Sequence, residues 1–442
     1  MNIQLSDHFT YSKLLRYTLP SIVMMVFTSV YGVVDGYFVS NYVGKVPFTA
    51  VNFIYPVLMI LGCAGFMFGT GGGALIAKTM GEGEPERANG MFSLIVYTSI
   101  ACGIALGAAG LLLLRPTAAL LGAEGELLEN CVRYGRVCLL ALPAFVLQYE
   151  FQCLFATAGK PSLGLYVTVA AGVTNMVLDA LFVALFRWGL EGAAAATSLS
   201  QCVGGVIPLI YFARRNTSLL RLGRTRFQAG VLAKVCSNGA SELMSGISAS
   251  VVSMLYNVQL LNYAGEDGVA AYGVLMYVSL VFQAVFIGYA VGTAPAVGYH
   301  YGAQNHRELR SLLRQSAVIL AVFAAAMFAA ALALGRPLSL LFVGYDEALL
   351  EMTAHAFSIF AFSFLFSGFA IFGSSFFTAL NNGLVSAAIS FLRTLVFQAA
   401  AVLLFPLIWG VDGIWVSIAA AELMAVAVTV VFLLALRKKY QY

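Results

Sequence analysis

Gly71–Ala88 reads GGGALIAKTMGEGEPERA, and Gly292–Leu309 reads GTAPAVGYHYGAQNHREL. Each stretch starts as a glycine-bearing apolar run and ends in a short charged turn. Gly81 lies over Gly302, and the two stretches align at an offset of 221 residues. Two further pairs share that offset: TAVNFIYPV from Thr49 with AAYGVLMYV from Ala270, and GLEGAAAATS from Gly189 with GVDGIWVSIA from Gly410. The chain is therefore read as two copies of one unit, an organisation typical of secondary transporters and not of membrane enzymes.

The composition says where such a unit lives. The 442 residues are 61% hydrophobic and 10% charged, and the mean hydropathy is +0.89. Soluble domains average about 25% charged residues, so a soluble fold has no way to hide this surface. The segment MNIQLSDHFTYSKLLRY is polar and the apolar run after it is too long for a signal-peptide core, so the first helix is expected to insert and stay. A spanning helix needs about 20 apolar residues. Twelve such runs fall near 14–40, 47–78, 89–114, 132–157, 162–186, 190–213, 231–262, 268–301, 311–334, 351–378, 384–408 and 412–436. The expected fold is an all-α integral membrane protein of twelve transmembrane helices in two six-helix bundles. Residues 1–213 form the first bundle, 214–230 a basic linker and 231–442 the second. Six spans is an even number, so both halves enter from the same side and the repeat is parallel, about an axis along the membrane normal.

Lysine and arginine set the orientation. With the N-terminus inside, seventeen of the 24 fall on the cytoplasmic side, six outside (Lys45, Arg115, Arg133, Arg136, Arg187, Arg336), and Arg393 lies within a span. Both termini are thus expected in the cytoplasm of a multi-pass inner-membrane protein.

Against this background the intramembrane acids stand out, because a carboxylate near the bilayer centre costs roughly 2.5–3.5 kcal/mol on insertion scales. Asp35 lies about eight residues before the outer end of the first span, roughly 10–12 Å deep at 1.5 Å per residue. Asp179 lies about eight residues before Arg187, and Thr197 about seven residues into the sixth span, at similar depth. Asn175 shares a helix face with Asp179 at i, i+4. Two carboxylates, an amide and a hydroxyl make an oxygen-rich cluster suited to a hard monovalent cation. Alternatively the two carboxylates share one proton, or the polar groups tie neighbouring helices together. Glu150, Glu242 and Glu422 also fall within spans. Arg393, isolated in its span, needs a partner, and Glu242 and Glu422 are the candidates.

On these residues the sequence resembles the MATE (multidrug and toxic compound extrusion) family of antiporters, in its bacterial MepA-like and DinF-like branches. The resemblance is carried by VYGVVDGYFVSNYVG (Val30–Gly44), AVNFIYPV (Ala50–Val57), GTGGGALIAKTMGEGEPERAN (Gly69–Asn89), GKP (Gly159–Pro161), TNMVLD (Thr174–Asp179) and GLEGAAAAT (Gly189–Thr197). It covers essentially the whole chain. It implies a cation site in the N-terminal bundle at the positions of Asp35, Asn175, Asp179 and Thr197. It also implies a helix kink at Pro20 that responds to protonation of the first-span aspartate. Some members carry a second cation site in the other bundle. Glu242 matches its glutamate, but the tenth span, FSIFAFSFLFSGFAIFGSSFFTA (Phe357–Ala379), has no acid.

Other signals are set aside. GTGGGALIAKT lacks the glycine that a phosphate loop places before its lysine, since Ala77 precedes Lys78. The seven cysteines form no CxxC pair and read as packing residues. His300 and His306 fall in a basic loop and read as solvated. Tyr31, Tyr149, Tyr256 and Tyr272 are candidates to line a cavity and hold organic cations over their rings. The expected function is proton- or sodium-coupled antiport of amphipathic, often cationic organic compounds. Its expected partners are those small molecules and the lipid bilayer, with no nucleic acid, no cofactor beyond a bound sodium ion or proton, and a monomeric state. A flippase for a lipid-linked intermediate and a non-transporting scaffold or receptor are the alternatives.

Overall fold

A computed structural model describes residues 3–442, apart from the side chains at positions 40, 45, 46 and 48. Among the described residues every regular element is a helix. The first half contains α1 (Tyr11–Phe38), α2 (Lys45–Gly81), α3 (Pro85–Leu120), α4 (Gly125–Leu140), α5 (Leu142–Thr157), α6 (Pro161–Asp179) and α7 (Gly189–Ala213). The second contains α8 (Ala229–Gly302), α9 (His306–Val343), α10 (Glu347–Phe360), α11 (Phe364–Ala379), α12 (Gly383–Phe391), α13 (Phe397–Leu404), α14 (Pro406–Trp409) and α15 (Val411–Tyr440). Short π-helical turns follow α1, follow α6 and separate α12 from α13.

Among the described residues twelve spans result. Ten uninterrupted or nearly uninterrupted stretches are long and apolar enough to cross a bilayer, and α4 and α5, meeting at 59°, make another. The 74 residues of α8 would reach about 110 Å as one rod, against a hydrocarbon core of about 30 Å. They are two limbs joined at Gly265, whose φ of +68° interrupts the helix.

Among the described residues two large hydrophobic cores form, with a small third cluster of Met24, Met25 and Ala284. One draws on residues between Val39 and Val235. The other draws on residues from Val252 to Tyr442 together with Leu5, Phe9, Leu14, Tyr17 and Ile22. The chain's lead-in and the first turns of α1 therefore pack with the second half, so packing does not follow a cut at residue 213. The segments leading into the two halves cross over. Before α1, the Phe9 N–H donates to Glu308 Oε1 (2.8 Å), His8 Nδ1 meets Glu308 Oε2 (2.7 Å), and Gln315 Nε2 donates to the Phe9 carbonyl (2.7 Å), all within the first three turns of α9. Before α8, the Arg221 N–H donates to Asn89 Oδ1 (2.9 Å), the Gly223 N–H to Ser93 Oγ (3.0 Å), and Thr225 Oγ1 to the Gly90 carbonyl (2.8 Å), all at the start of α3. His300 is buried, 2% exposed, with its ring edge-on to Phe9. It is not the solvated residue expected from its loop-like sequence, because the lead-in segment covers it.

The two lobes meet along a seam of glycines. A Cβ on Gly81 would stand 2.0 Å from the Tyr299 carbonyl oxygen, and one on Gly302 would stand 2.0 Å from that of Lys78. These are the same contact exchanged between repeat-related positions, as a two-fold axis requires. Gly71 and Gly239 bring α2 and the first limb of α8 backbone to backbone in the same way. Toward the other end, a Cβ on Gly32 of α1 or on Gly273 of α8 would meet nothing within 4 Å. The lobes touch at the end that carries the linker.

Candidate functional site

The acid cluster assembles from α1, α6 and α7. Asp35 lies one turn before the end of α1, and Asp179 is the last residue of α6, where the π-helical turn Ala180–Leu185 begins. Such turns are frequent at functional sites because they leave backbone and side chains displaced from the regular ladder. The run Ala193, Ala194 and Ala196, each 0% exposed, lets α7 approach closely and brings Thr197 to the cluster. Thr197 Oγ1 donates to Asp35 Oδ1 at 3.2 Å. Asn175 and Asp179 lie beside the Asp35 carboxylate. The three residues grouped by depth, and Asn175 one turn before Asp179, are together in space.

The cluster has too few donors. Asn175 and Asp179 are buried, and Asn175 Oδ1 and both Asp179 oxygens have no hydrogen-bond partner among the described residues. Unpartnered buried oxygens cost about 1–3 kcal/mol each, more when charged. Oxygens alone, converging from three helices, are the ligand set of a hard cation. One proton shared between the carboxylates would also relieve them.

Asp35 opens onto a cavity of about 100 Å³, lined among others by Tyr31, Tyr55, Gln148, Tyr149, Asn175 and Thr197. That volume holds a few waters at about 30 Å³ each and falls below the roughly 300–1,000 Å³ of a drug-sized pocket. It is sized for an ion or a few waters. Gln148 Nε2 reaches the Tyr31 hydroxyl at 3.4 Å and Gln152 Nε2 reaches Thr28 Oγ1 at 3.5 Å. Their carbonyl oxygens, like that of Gln201, have no partner among the described residues. These glutamines and Tyr55 were missed by the sequence reading. The signal was present in LQYEFQ (Leu147–Gln152), which alternates polar residues through an apolar span.

The remaining candidates separate. Tyr31 and Tyr149 line the chamber, Tyr149 stacked on Phe66 with centroids 4.3 Å apart. Tyr256 and Tyr272 do not. They stack on each other at 5.3 Å in the second core, and the Tyr256 hydroxyl meets Ser417 Oγ at 2.6 Å. Pro20 sits inside α1, which continues unbroken through it. Arg393 pairs with Glu422 through two hydrogen bonds, 2.8 and 2.9 Å. Glu242 has no ion pair among the described residues. It faces a small cavity of about 20 Å³ between the lobes, with Thr70, Thr157 and Ser375. Glu150 takes a hydrogen bond from Ser99 Oγ, and its other oxygen has no partner among the described residues. No three His, Cys, Asp or Glu side chains among the described residues are placed to hold a metal ion together, and all seven cysteines are free.

The chain is similar to known proteins over nearly its full length. It is 22% identical over 427 residues to the multidrug export protein MepA of Staphylococcus aureus (strain MRSA252), covering 96% of this chain and 94% of the relative. It is 22% identical over 365 residues to MepA of Staphylococcus haemolyticus (strain JCSC1435), covering 81% and 80%. Among solved structures, the outward-facing conformation of a multidrug resistance MATE family transporter of the MOP superfamily superposes with a TM-score of 0.94 at 21% identity, covering 100% of this chain and 98% of that one. A MOP superfamily transporter from Pyrococcus furiosus superposes at 0.92, also at 21% identity, covering 98% of each. The model of the family described as MatE matches residues 20–181 and 243–403. The matches fall one in each half of the duplication and together take in most of the chain, which belongs to the MatE family.

Proposed function

We propose that this protein is a multidrug efflux antiporter of the inner membrane, exporting amphipathic, often cationic organic compounds against inward flow of a proton or sodium ion. The family and the MepA relatives support efflux. The observation that carries the coupling is the donor-poor meeting of Asp35, Asp179, Asn175 and Thr197 beside a small chamber. A cation or a proton is what those oxygens lack, and the two compete for them. Asp35 and Asp179 supply the charge that changes, Asn175 and Thr197 hold Asp35 and the ion in place, and Tyr31 and Tyr149 give the chamber aromatic walls toward an organic cation.

Coupling needs two lobe arrangements that bind the cation unequally, since a ligand shifts an equilibrium only by its difference in affinity between states. The arrangement described here has the lobes joined at the linker end. With the linker in the cytoplasm, as the basic loops indicate, this is the state open to the outside, where the coupling ion enters. One charge moving down 100 mV supplies about 2.3 kcal/mol, enough for roughly fiftyfold accumulation. The flippase alternative needs a cationic chamber for a pyrophosphate, and Arg393 is already neutralised by Glu422. The test is efflux of a fluorescent organic cation from proteoliposomes under a pH gradient and, separately, a sodium gradient. Uphill movement under one of them supports antiport, and its absence under both overturns it.

A further inference from the structure

The two crossing lead-in segments are repeat-related, but their junctions are built differently. At the α9 junction, Glu308 is 5% exposed and holds the segment with both carboxylate oxygens, while Gln315 holds it from two turns further on. The positions 221 residues earlier are Arg87 and Leu94. At the α3 junction, then, a cation stands where the carboxylate would be and an apolar side chain where the amide would be. Between the linker and α3 there remains a cavity of about 310 Å³. Its walls include Arg87, Arg224, Arg226, Met91 and Leu94, and no acidic residue. Arg87 has a surface ion pair with Glu84 at 3.0 Å. Arg224 and Arg226 have no ion pair among the described residues. The junction has gathered three guanidinium groups and lacks the anion that its counterpart carries as Glu308.

We infer that this cavity binds the phosphate headgroup of an anionic phospholipid, which closes the α3 junction as Glu308 closes the α9 junction. Three features select a lipid. The cavity is amphiphilic: Arg87 and Leu94 lie about 10 Å apart along one face of α3, so polar and apolar walls follow one another along the membrane normal. Its depth is right, because α3 with 36 residues is longer than the roughly 20 needed to span, so its first turns stand in the headgroup layer. Phe227, 77% exposed beside Arg226, is placed to enter the bilayer interface and hold the linker there. Basic pockets between helices at the membrane surface are established sites for anionic headgroups.

The test uses the full-length protein in nanodiscs of phosphatidylcholine with or without phosphatidylglycerol, reading retained lipid by native mass spectrometry and Tm by tryptophan fluorescence. Phosphatidylglycerol should raise Tm and remain bound. R224Q/R226Q should bind it roughly thirtyfold more weakly, the loss expected from two interfacial arginines, with Tm in phosphatidylcholine alone unchanged. Arg87→Glu supplies the missing carboxylate and should remove the lipid response while keeping Tm in phosphatidylcholine at or above the parent value. R437Q/K438Q, which removes two charges elsewhere on the same side, should keep the full response. The inference is overturned if R224Q/R226Q and Arg87→Glu keep the parent's lipid response. It is also overturned if R437Q/K438Q loses as much, or if free inorganic phosphate reproduces the stabilisation.

Discussion

Gly302→Ala puts one methyl group into the seam between the lobes. The new Cβ would stand 2.0 Å from the Lys78 carbonyl oxygen, 2.8 Å from its carbon and 3.0 Å from its Cα. All three are backbone atoms of a helix and cannot swing aside, so ordinary contact requires the helices to part locally by about 1.4 Å, to roughly 3.4 Å. Overpacking of this kind costs about 1–3 kcal/mol. Alanine is also a better helix former than glycine by about 1 kcal/mol, and that gain is present in both lobe arrangements. Folding is therefore preserved, and the penalty falls only on the arrangement with the seam closed. A penalty of about 1–3 kcal/mol moves that equilibrium about 5- to 150-fold toward the opposite state. Spin labels on Glu86→Cys and Arg307→Cys, exposed repeat-related positions on the two lobes, report it as a shift to longer distances in a background lacking the seven native cysteines. Gly81→Ala should behave alike, because the contact is reciprocal. Distance distributions identical to the parent in both variants would mean that the seam does not govern closure.

Losing Arg393 leaves Glu422, whose side chain is 2% exposed, as an unpaired buried charge. R393A and E422Q should each destabilise by about 3–5 kcal/mol, and the double variant by clearly less than their sum. Additive effects in an unfolding titration would show that the pair is not coupled. In intact cells a membrane-impermeant thiol reagent should modify Arg336→Cys but not Arg221→Cys or Arg310→Cys, and labelling of Arg221→Cys from outside would reverse the topology. Glu150→Gln should leave gradient-driven efflux within about twofold of the parent, since Glu150 binds Ser99 outside the chamber. Its loss of coupling would extend the cation path to α5.

What the sequence made legible was what local chemistry dictates. Charge exclusion from hydrocarbon marked the twelve spans, and the repeat offset of Gly81 and Gly302 marked the duplication. Depth along a helix, which is simple arithmetic, grouped Asp35, Asp179 and Thr197 before any contact was known. Rotation about the helix axis was not legible from depth. Tyr256 and Tyr272 stack inside the second core, while Tyr55 and Gln148 face the chamber. A choice of partner likewise needs three dimensions: both Glu242 and Glu422 were in reach of Arg393 by depth, and only Glu422 points at it. The crossing of the lead-in segments is the least local feature of all. It joins residues about 300 apart, such as Phe9 and Glu308, and buries His300 from outside its own sequence neighbourhood.

The central claim is that Asp35 resides in the membrane because its oxygens take up and release the coupling cation. Asp35→Asn retains the shape and the contact from Thr197 while removing the titratable charge. The direct measurement is efflux of a fluorescent organic cation from proteoliposomes under an imposed pH or sodium gradient, with parent, Asp35→Asn and Asp179→Asn present in equal amounts. The account predicts that both variants fold and bind the organic cation but fail to accumulate it against its gradient, while Asn175→Ala and Thr197→Ala show milder losses. Full uphill transport by Asp35→Asn would contradict it and leave the carboxylate a structural residue.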